Sequence, residues 1–329
     1  MILILTYQHY EQGTDAVVEW LLHQKEEFIK ITIDDLASLK NDLDIDVTQN
    51  KIFYKGIDLI NDIHVIWYRR FNKKVELQLD EQCEKLNSQL EREANVELSF
   101  LADYLFTALQ GKKWMPNYKN IDVNKLEVTA EAHSLGILVP KTKILKSKSS
   151  LLDFYQDCNE RIITKPIHHS GYFVRDNFAY SAYTTSITKN QILEGNETFF
   201  PSLFQERVEG DFEIRTFFMA NKFYSTAILV NDNSNKNVDI KLNYQNKKNI
   251  AWVPYSLPEE YEANLIKLMH HLQLNTGSID TIKTKDNKYY FLEVNPVGQY
   301  SAPAQRCNYN VEREIASWLA ENNNPCIKN

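Results

Sequence analysis

The chain has 329 residues, 43% hydrophobic and 25% charged, enough to bury substantial cores and to favour two or three packed units over one small domain. A formal net charge of −7 argues against a nucleic-acid partner, and no apolar run is long enough to span a bilayer. Cys83, Cys158, Cys307 and Cys326 stand far apart, which argues against a disulfide framework or a zinc site and points to a reduced, cytoplasmic protein.

Residues 1–115 read as an N-terminal α/β domain. Met1–Leu5 is a buried strand, not a targeting segment, because no basic region precedes it and Thr6-Tyr7-Gln8 follows directly. Thr14-Asp15 opens a helix with Val17, Val18, Leu21 and Leu22 on one side. Val65–Tyr68 is a second strand ending in Arg69-Arg70, and a long amphipathic helix from about Asp80 to Leu109 is capped by Gly111. Arg69 and Arg70 could steer acidic side chains of a substrate, although a solvated strand end explains them equally.

Residues 116–205 form a second unit. A helix over Lys125–Leu135 stops at Gly136, another covers Ser150–Cys158, and the strand Arg161–Lys165 ends at Pro166. Residues 206–329 hold strands at Glu213–Met219, Phe223–Val230, Gly277–Thr284 and Lys288–Val294, with helices at Glu259–Leu272 and Val311–Ala320. Helix and strand alternate throughout, so the fold class is α/β and α+β with several sheets.

The most informative stretch is the hairpin around Asp286-Asn287. With a two-residue loop, Lys285 faces Lys288, and Asp280 falls directly across from Glu293. Glu293 and Asn295 share a face, while Leu292 and Val294 point into a core. Two carboxylates opposed on one face repel, at a cost of about 0.2–1 kcal/mol, and a cation between them reverses the sign. Two carboxylates and an amide oxygen suit Mg²⁺ that also holds nucleotide phosphates. A solvated hairpin face with scattered acids is the competing reading of these residues taken alone.

Lys165, at the end of a β-branched strand, could reach phosphate oxygens as a point charge. The run Phe204–Arg215 gives a strand, a turn at Gly210-Asp211 and a second strand. Backbone at Glu206–Val208 could pair with an adenine edge, Glu213 could accept from ribose hydroxyls, and Arg215, on the same face, could neutralise a developing acyl phosphate. A simple hairpin with surface Glu and Arg is the bland alternative.

In order and spacing, Lys125, Lys165-Pro166, Gln205–Val208, Glu213-Ile214-Arg215, Asp280 and Phe291–Pro296 resemble the ATP-grasp superfamily over roughly residues 120–300. The resemblance implies an ATP-grasp fold with an N-terminal α/β pre-ATP-grasp domain, and central (116–205) and C-terminal (206–329) ATP-grasp lobes. ATP and Mg²⁺ would be the cofactors. Lys125 and Lys165 would contact phosphates, Glu206 and Val208 the adenine, and Glu213 the ribose, with Gln205 also among the cofactor-binding residues. Asp280, Glu293 and Asn295 would hold the metal.

Further stretches resemble the graspetide (microviridin-type) peptide macrocyclases, in particular the grasp-with-spasm maturases. They are Ile66–Arg70, Pro201–Gln205, Val253-Pro254-Tyr255 with Leu257-Pro258, Asn275–Asp280, Glu293–Gln299 and Cys307–Asn310. That resemblance implies a homodimeric enzyme closing esters or amides within a ribosomal precursor peptide that has a leader and an acidic core. Arg69, Arg70, Lys241 and Gln299 would face this substrate, and Asp239 would orient the attacking nucleophile beside Arg215. Where the family pattern carries Arg after Val238-Asp239-Ile240, this chain has Lys241, a point charge in place of a bidentate grip. An ATP-grasp ligase adding free amino acids, and a non-catalytic peptide-binding module that keeps the fold, are the competing expectations.

Overall fold

The computed structural model describes residues 1–7, 11–38, 40, 42–71, 74–76, 84–168, 172–175, 178–230 and 250–323. Asp239 and Lys241 lie outside the described residues. The chain folds into two compact units, and the division is discontinuous in sequence. One unit holds residues 1–121, 273–276 and 296–329; the other holds 122–272 and 277–295.

The first unit is built on a parallel sheet in the order Phe28–Ile31, Ile2–Leu5, Val65–Tyr68, Lys113–Met115. Ile2, Leu3, Ile4 and Leu5 are wholly buried, as an all-apolar strand covered on both faces must be. Leu3, Leu5, Ile66 and Tyr68 pack with Ala102, Leu105, Phe106 and Leu109, from the last turns of the helix Glu84–Ala108 and its exit. Gly111 does not take a left-handed conformation; the helix closes through successive turns, with Lys112 N–H donating to Leu109 O. The helices Gln12–His23 and Val311–Asn323 pack on each other. Within the first of these Val17 and Leu21 are buried, whereas Leu22, expected on the same side, is exposed.

A small antiparallel sheet of Leu43–Asp46, Lys51–Tyr54 and Ile57–Asp58 adds Ile52 and Tyr54 to the core. Short strands and a low hydrophobic contrast hid it from the periodicity reading.

The second unit holds two larger sheets. One runs Thr185–Ile187, Ile162–Lys165, Thr198–Glu206, Thr142–Ser147, with antiparallel pairing. Leu151, Phe154 and Tyr155 of the helix Lys148–Asp157 and Ile192 of Lys189–Glu194 pack with Ile162 and Phe204 of this sheet. Local chemistry sets these helix ends: Ser147 accepts from Ser150 N–H, and Thr188 and Gln191 form a reciprocal capping box. The helix Lys125–Ser134 ends where Gly136 turns left-handed (φ +79°), with Ile137 N–H donating to Ala132 O and Gly136 N–H to His133 O.

The other sheet runs Ile250–Tyr255, Lys222–Val230, Phe212–Met219, Thr276–Lys283, Tyr289–Asn295. Met219 pairs with Lys222 across Ala220-Asn221, both at positive φ, the geometry of a tight two-residue hairpin. Thr198–Glu206 and Phe212–Met219 belong to different sheets, so the segment through Gly210-Asp211 is a connection between sheets and not the hairpin of the bland alternative. Among the described residues no helix is long and apolar enough to cross a membrane.

Candidate active site

Asp280 pairs with Glu293, as the sequence leads one to expect, but through two compensating departures. The loop has three residues, Lys285-Asp286-Asn287. Thr284 N–H donates to Lys288 O at 2.9 Å and Asn287 is left-handed at φ 61°. That shifts the pairing by one, so that Thr281 faces Phe291. A bulge between Asp280 and Thr281 leaves Leu292 unmatched and shifts it back. Phe291 and Val294 therefore go to the core at 1% exposure each, and Leu292, expected in the core, is only half-buried.

Cations from two other elements pair with these carboxylates, and a third, Lys165, lies within their electrostatic reach. Lys125, the first residue of its helix, places Nζ 2.8 Å from Glu293 Oε2. Arg215, on the neighbouring strand Phe212–Met219, places Nη2 3.4 Å from Asp280 Oδ2. Asn295 Nδ2 donates to Glu293 Oε1 at 3.4 Å, which leaves the amide oxygen as a ligand. Lys165 is half-buried at the end of its strand. Burial holds its pKa below the usual lysine range, the Lys125 charge adds to that, and Glu293 and Asp280 oppose it. The two carboxylates are only 15% and 16% exposed, so these charges act through little water.

The donor set fits a small hard cation. Two facing carboxylates and an amide oxygen are hard ligands, too few to enclose Mg²⁺ and sufficient for one whose remaining positions are phosphate oxygens and water. Among the described residues no group of three or more His, Cys, Asp or Glu side chains could hold a metal unaided.

Of the residues read as cradling the nucleotide, Gln205 is 3% exposed and its Nε2 donates to Thr142 Oγ1 at 2.8 Å, so its side chain is held in the sheet. The Glu206 carboxylate accepts from Lys141 N–H at 3.2 Å, and its own N–H donates to Lys141 O at 2.8 Å. Val208 is half-buried just past the strand, and Glu213 lies two residues before Arg215 on one face. His270 and His271, adjacent on a helix, reach separate partners, Asn221 at 2.8 Å and Glu131 at 3.0 Å, and form no joint site.

Glycine is required where the hairpin begins. A Cβ on Gly277 would stand 2.9 Å from Val294 Cγ2 and 3.3 Å from Asn295 O. Val294 is buried and stiff, so Gly277→Ala is expected to cost about 1–3 kcal/mol in urea unfolding. It should also shift Asn295, whose backbone oxygen a Cβ there would crowd. An unchanged midpoint would show that the strand yields freely.

Arg69, Arg70 and Gln299 belong to the first unit. Arg69 is 3% exposed; Nη1 donates to the carbonyls of Val297 (3.1 Å) and Gly298 (2.9 Å), and Nη2 to Glu11 Oε1 (3.2 Å). Its guanidinium lies 5.1 Å from the Tyr300 ring centroid, and Tyr300 donates to Gly13 O. These bonds make Arg69 a staple between the strand end, the helix start and the 296–300 segment. Arg70, left-handed at φ 55°, stands 3.6 Å from Glu11 with a third of its side chain exposed, and Gln299 is exposed. The sequence reading did not single out Glu11, the buried carboxylate that balances both arginines. Its only local signal is its place three residues before Thr14, whose N–H and hydroxyl it accepts from.

No family model and no curated sequence matches the chain. Solved structures do, over nearly its whole length. The macrocyclase MdnC bound with precursor peptide MdnA, from Microcystis aeruginosa MRC, is 25% identical at a TM-score of 0.79, covering 98% of this chain and 99% of that one. A Chryseobacterium gregarium RiPP-associated ATP-grasp ligase, in complex with ADP and a leader and core peptide, is 21% identical at 0.80, covering 97% and 96%. The ATP-grasp ligase PsnB, complexed with a phosphomimetic variant of minimal precursor, Mg and ADP, is 14% identical at 0.75, covering 98% of each.

Fold and matches together define an ATP-grasp ligase. Within that class the chain is similar, over nearly all of both chains, to the macrocyclase MdnC, in line with the resemblance of its sequence to the graspetide-type peptide macrocyclases.

Proposed function

We propose that the protein uses Mg-ATP to close side-chain esters or amides within a ribosomal precursor peptide. The observation that carries this reading is the gathering of Lys125, Lys165, Arg215, Asp280, Glu293 and Asn295 in one cluster, within a chain that matches a macrocyclase end to end.

An acidic side chain of the peptide attacks the γ-phosphorus of ATP, giving an acyl phosphate and ADP. A Ser or Thr hydroxyl, or a Lys amine, then attacks the acyl carbon; phosphate leaves and one water is lost overall per ring. Lys125 and Lys165 hold the phosphates in line, and Arg215 neutralises charge on the transferring group. Asp280, Glu293 and Asn295 would hold Mg²⁺, which would offset the negative charge of the nucleotide phosphates. Backbone near Glu206 and Val208 takes the adenine, with Gln205 bracing the strand from inside the sheet, and Glu213 takes the ribose. Asp239 orients the nucleophile's proton and Lys241 its acidic partner. Arg70 and Gln299 meet the peptide on the first unit, with Arg69 behind them. The enzyme acts as a homodimer in the cytoplasm.

The test is the intact mass of the precursor peptide encoded beside the gene, after incubation with enzyme, ATP and Mg²⁺. Loss of one water mass per ring, dependent on ATP and restored by mild base, establishes esters; loss resistant to base establishes amides. An unchanged peptide mass, with ADP formed only when free amino acids are supplied, would replace this reading with a ligase for free amino acids.

A further inference from the structure

We infer that Lys125 is a latch on the metal site, which must be transferred from Glu293 to the nucleotide before a divalent cation can bind. The inference rests on the nucleotide-site reading above and adds an order of loading to it.

At 2.8 Å the Lys125 ammonium stands where a cation bound to Glu293 Oε2 would stand. The pair is no loose surface contact: its side chains are 18% and 16% exposed, so neither partner is readily replaced by water. Asn295 donates to the other carboxylate oxygen, so both oxygens of Glu293 are engaged. Among the described residues, Lys125 pairs with Glu293 and Arg215 with Asp280, and Lys165 lies close enough for its charge to feel both carboxylates. A divalent cation alone would have to displace Lys125 from Glu293. Nucleotide phosphates offer Lys125 a second anion.

The start of the Lys125 helix points the same way. A lysine as first helical residue sits against the positive end of the helix dipole, a position that favours anions. Asn124 caps Leu126 N–H and Glu127 supplies one negative charge in the first turn. Lys125 is therefore poised between two anions, Glu293 within the fold and a phosphate arriving at the helix start. Nucleotide and metal then bind in concert, and metal alone binds poorly.

Mn²⁺ binding, followed by electron paramagnetic resonance of the free ion, tests this in the 329-residue chain with and without ADP. Lys125→Met is compared with Lys165→Met, which removes the same charge from the same cluster but leaves Glu293 Oε2 covered. The latch predicts weak Mn²⁺ binding to the wild type without ADP. It predicts a gain on the order of tenfold in ADP-free Mn²⁺ affinity for Lys125→Met, clearly above that for Lys165→Met. Lys125→Gln, a second variant, should repeat the gain should the methionine disturb folding. Equal gains at the two lysines, or tight Mn²⁺ binding to the wild type without ADP, overturns the latch while leaving the nucleotide site intact. Failure of the wild type to bind ADP with Mn²⁺ present overturns the nucleotide-site reading and the latch with it.

Discussion

Glu293→Gln is expected to slow ATP-dependent modification of the precursor on the order of a thousandfold or more while leaving the protein folded. Glutamine keeps the shape of the side chain and its hydrogen-bonding capacity on the hairpin, so the strand pairing with Asp280 survives. What is lost is one of two negative charges among three cations. Lys125 loses the charged partner it holds at 2.8 Å, and the proposed metal site loses one of its two carboxylates. The effect should fall on the chemical step and on nucleotide affinity together. Single-turnover ADP release and peptide mass measure the first, and calorimetry with ADP and Mg²⁺ the second. Glu209→Gln is the control: Glu209 pairs with Arg161 at the same 2.8 Å, but both side chains are largely exposed, and activity should be unchanged. A Glu293→Gln variant within tenfold of wild type would remove Glu293 from the chemistry.

The hairpin shows how far a sequence can be read and where it misleads. Alternation of apolar and polar residues and the Asp-Asn turn were enough to oppose Asp280 and Glu293. The three-residue loop and the bulge at Leu292 were not legible, because each shifts the register by one and the shifts cancel. Only Leu292, half-buried where a core residue was expected, betrays them. In the second unit the stop at Gly136 was legible, whereas the caps at Ser147 and Thr188, and with Thr188 the short helix Lys189–Glu194, were not read. Long-range pairings are not legible either. That Lys125 meets Glu293, 168 positions away, could be expected only from a family resemblance, since no local pattern encodes it. The segment Phe204–Arg215 illustrates the same limit: both strands were legible, but not that they join different sheets.

Arg69 marks the opposite case, a residue whose chemistry suggests a ligand and whose surroundings supply one from within the chain. Arg69→Met is expected to destabilise the protein by about 3–5 kcal/mol, because it leaves Glu11 buried with only the more distant Arg70. It also strips two carbonyls, Val297 and Gly298, of their donor. Urea unfolding should show a lower midpoint, with the loss confined to the transition that includes residues 1–121 and 296–323. The pH dependence gives the sign. Burial alone would raise the Glu11 pKa, but Arg69 and Thr14 outweigh it and hold the carboxyl below its usual 4.5. Its stabilising contribution is therefore complete above about 4.5, the unfolded value, and is lost as pH falls through the lower folded value. Glu11→Gln should accordingly be less stable than wild type at neutral pH, and the gap should narrow in acid. A gap that is constant from neutral pH into acid would mean that Glu11 packs as a neutral group and that Arg69 is balanced elsewhere. A mild effect of Arg69→Met on folding, with a large loss of precursor affinity, would instead return Arg69 to the substrate.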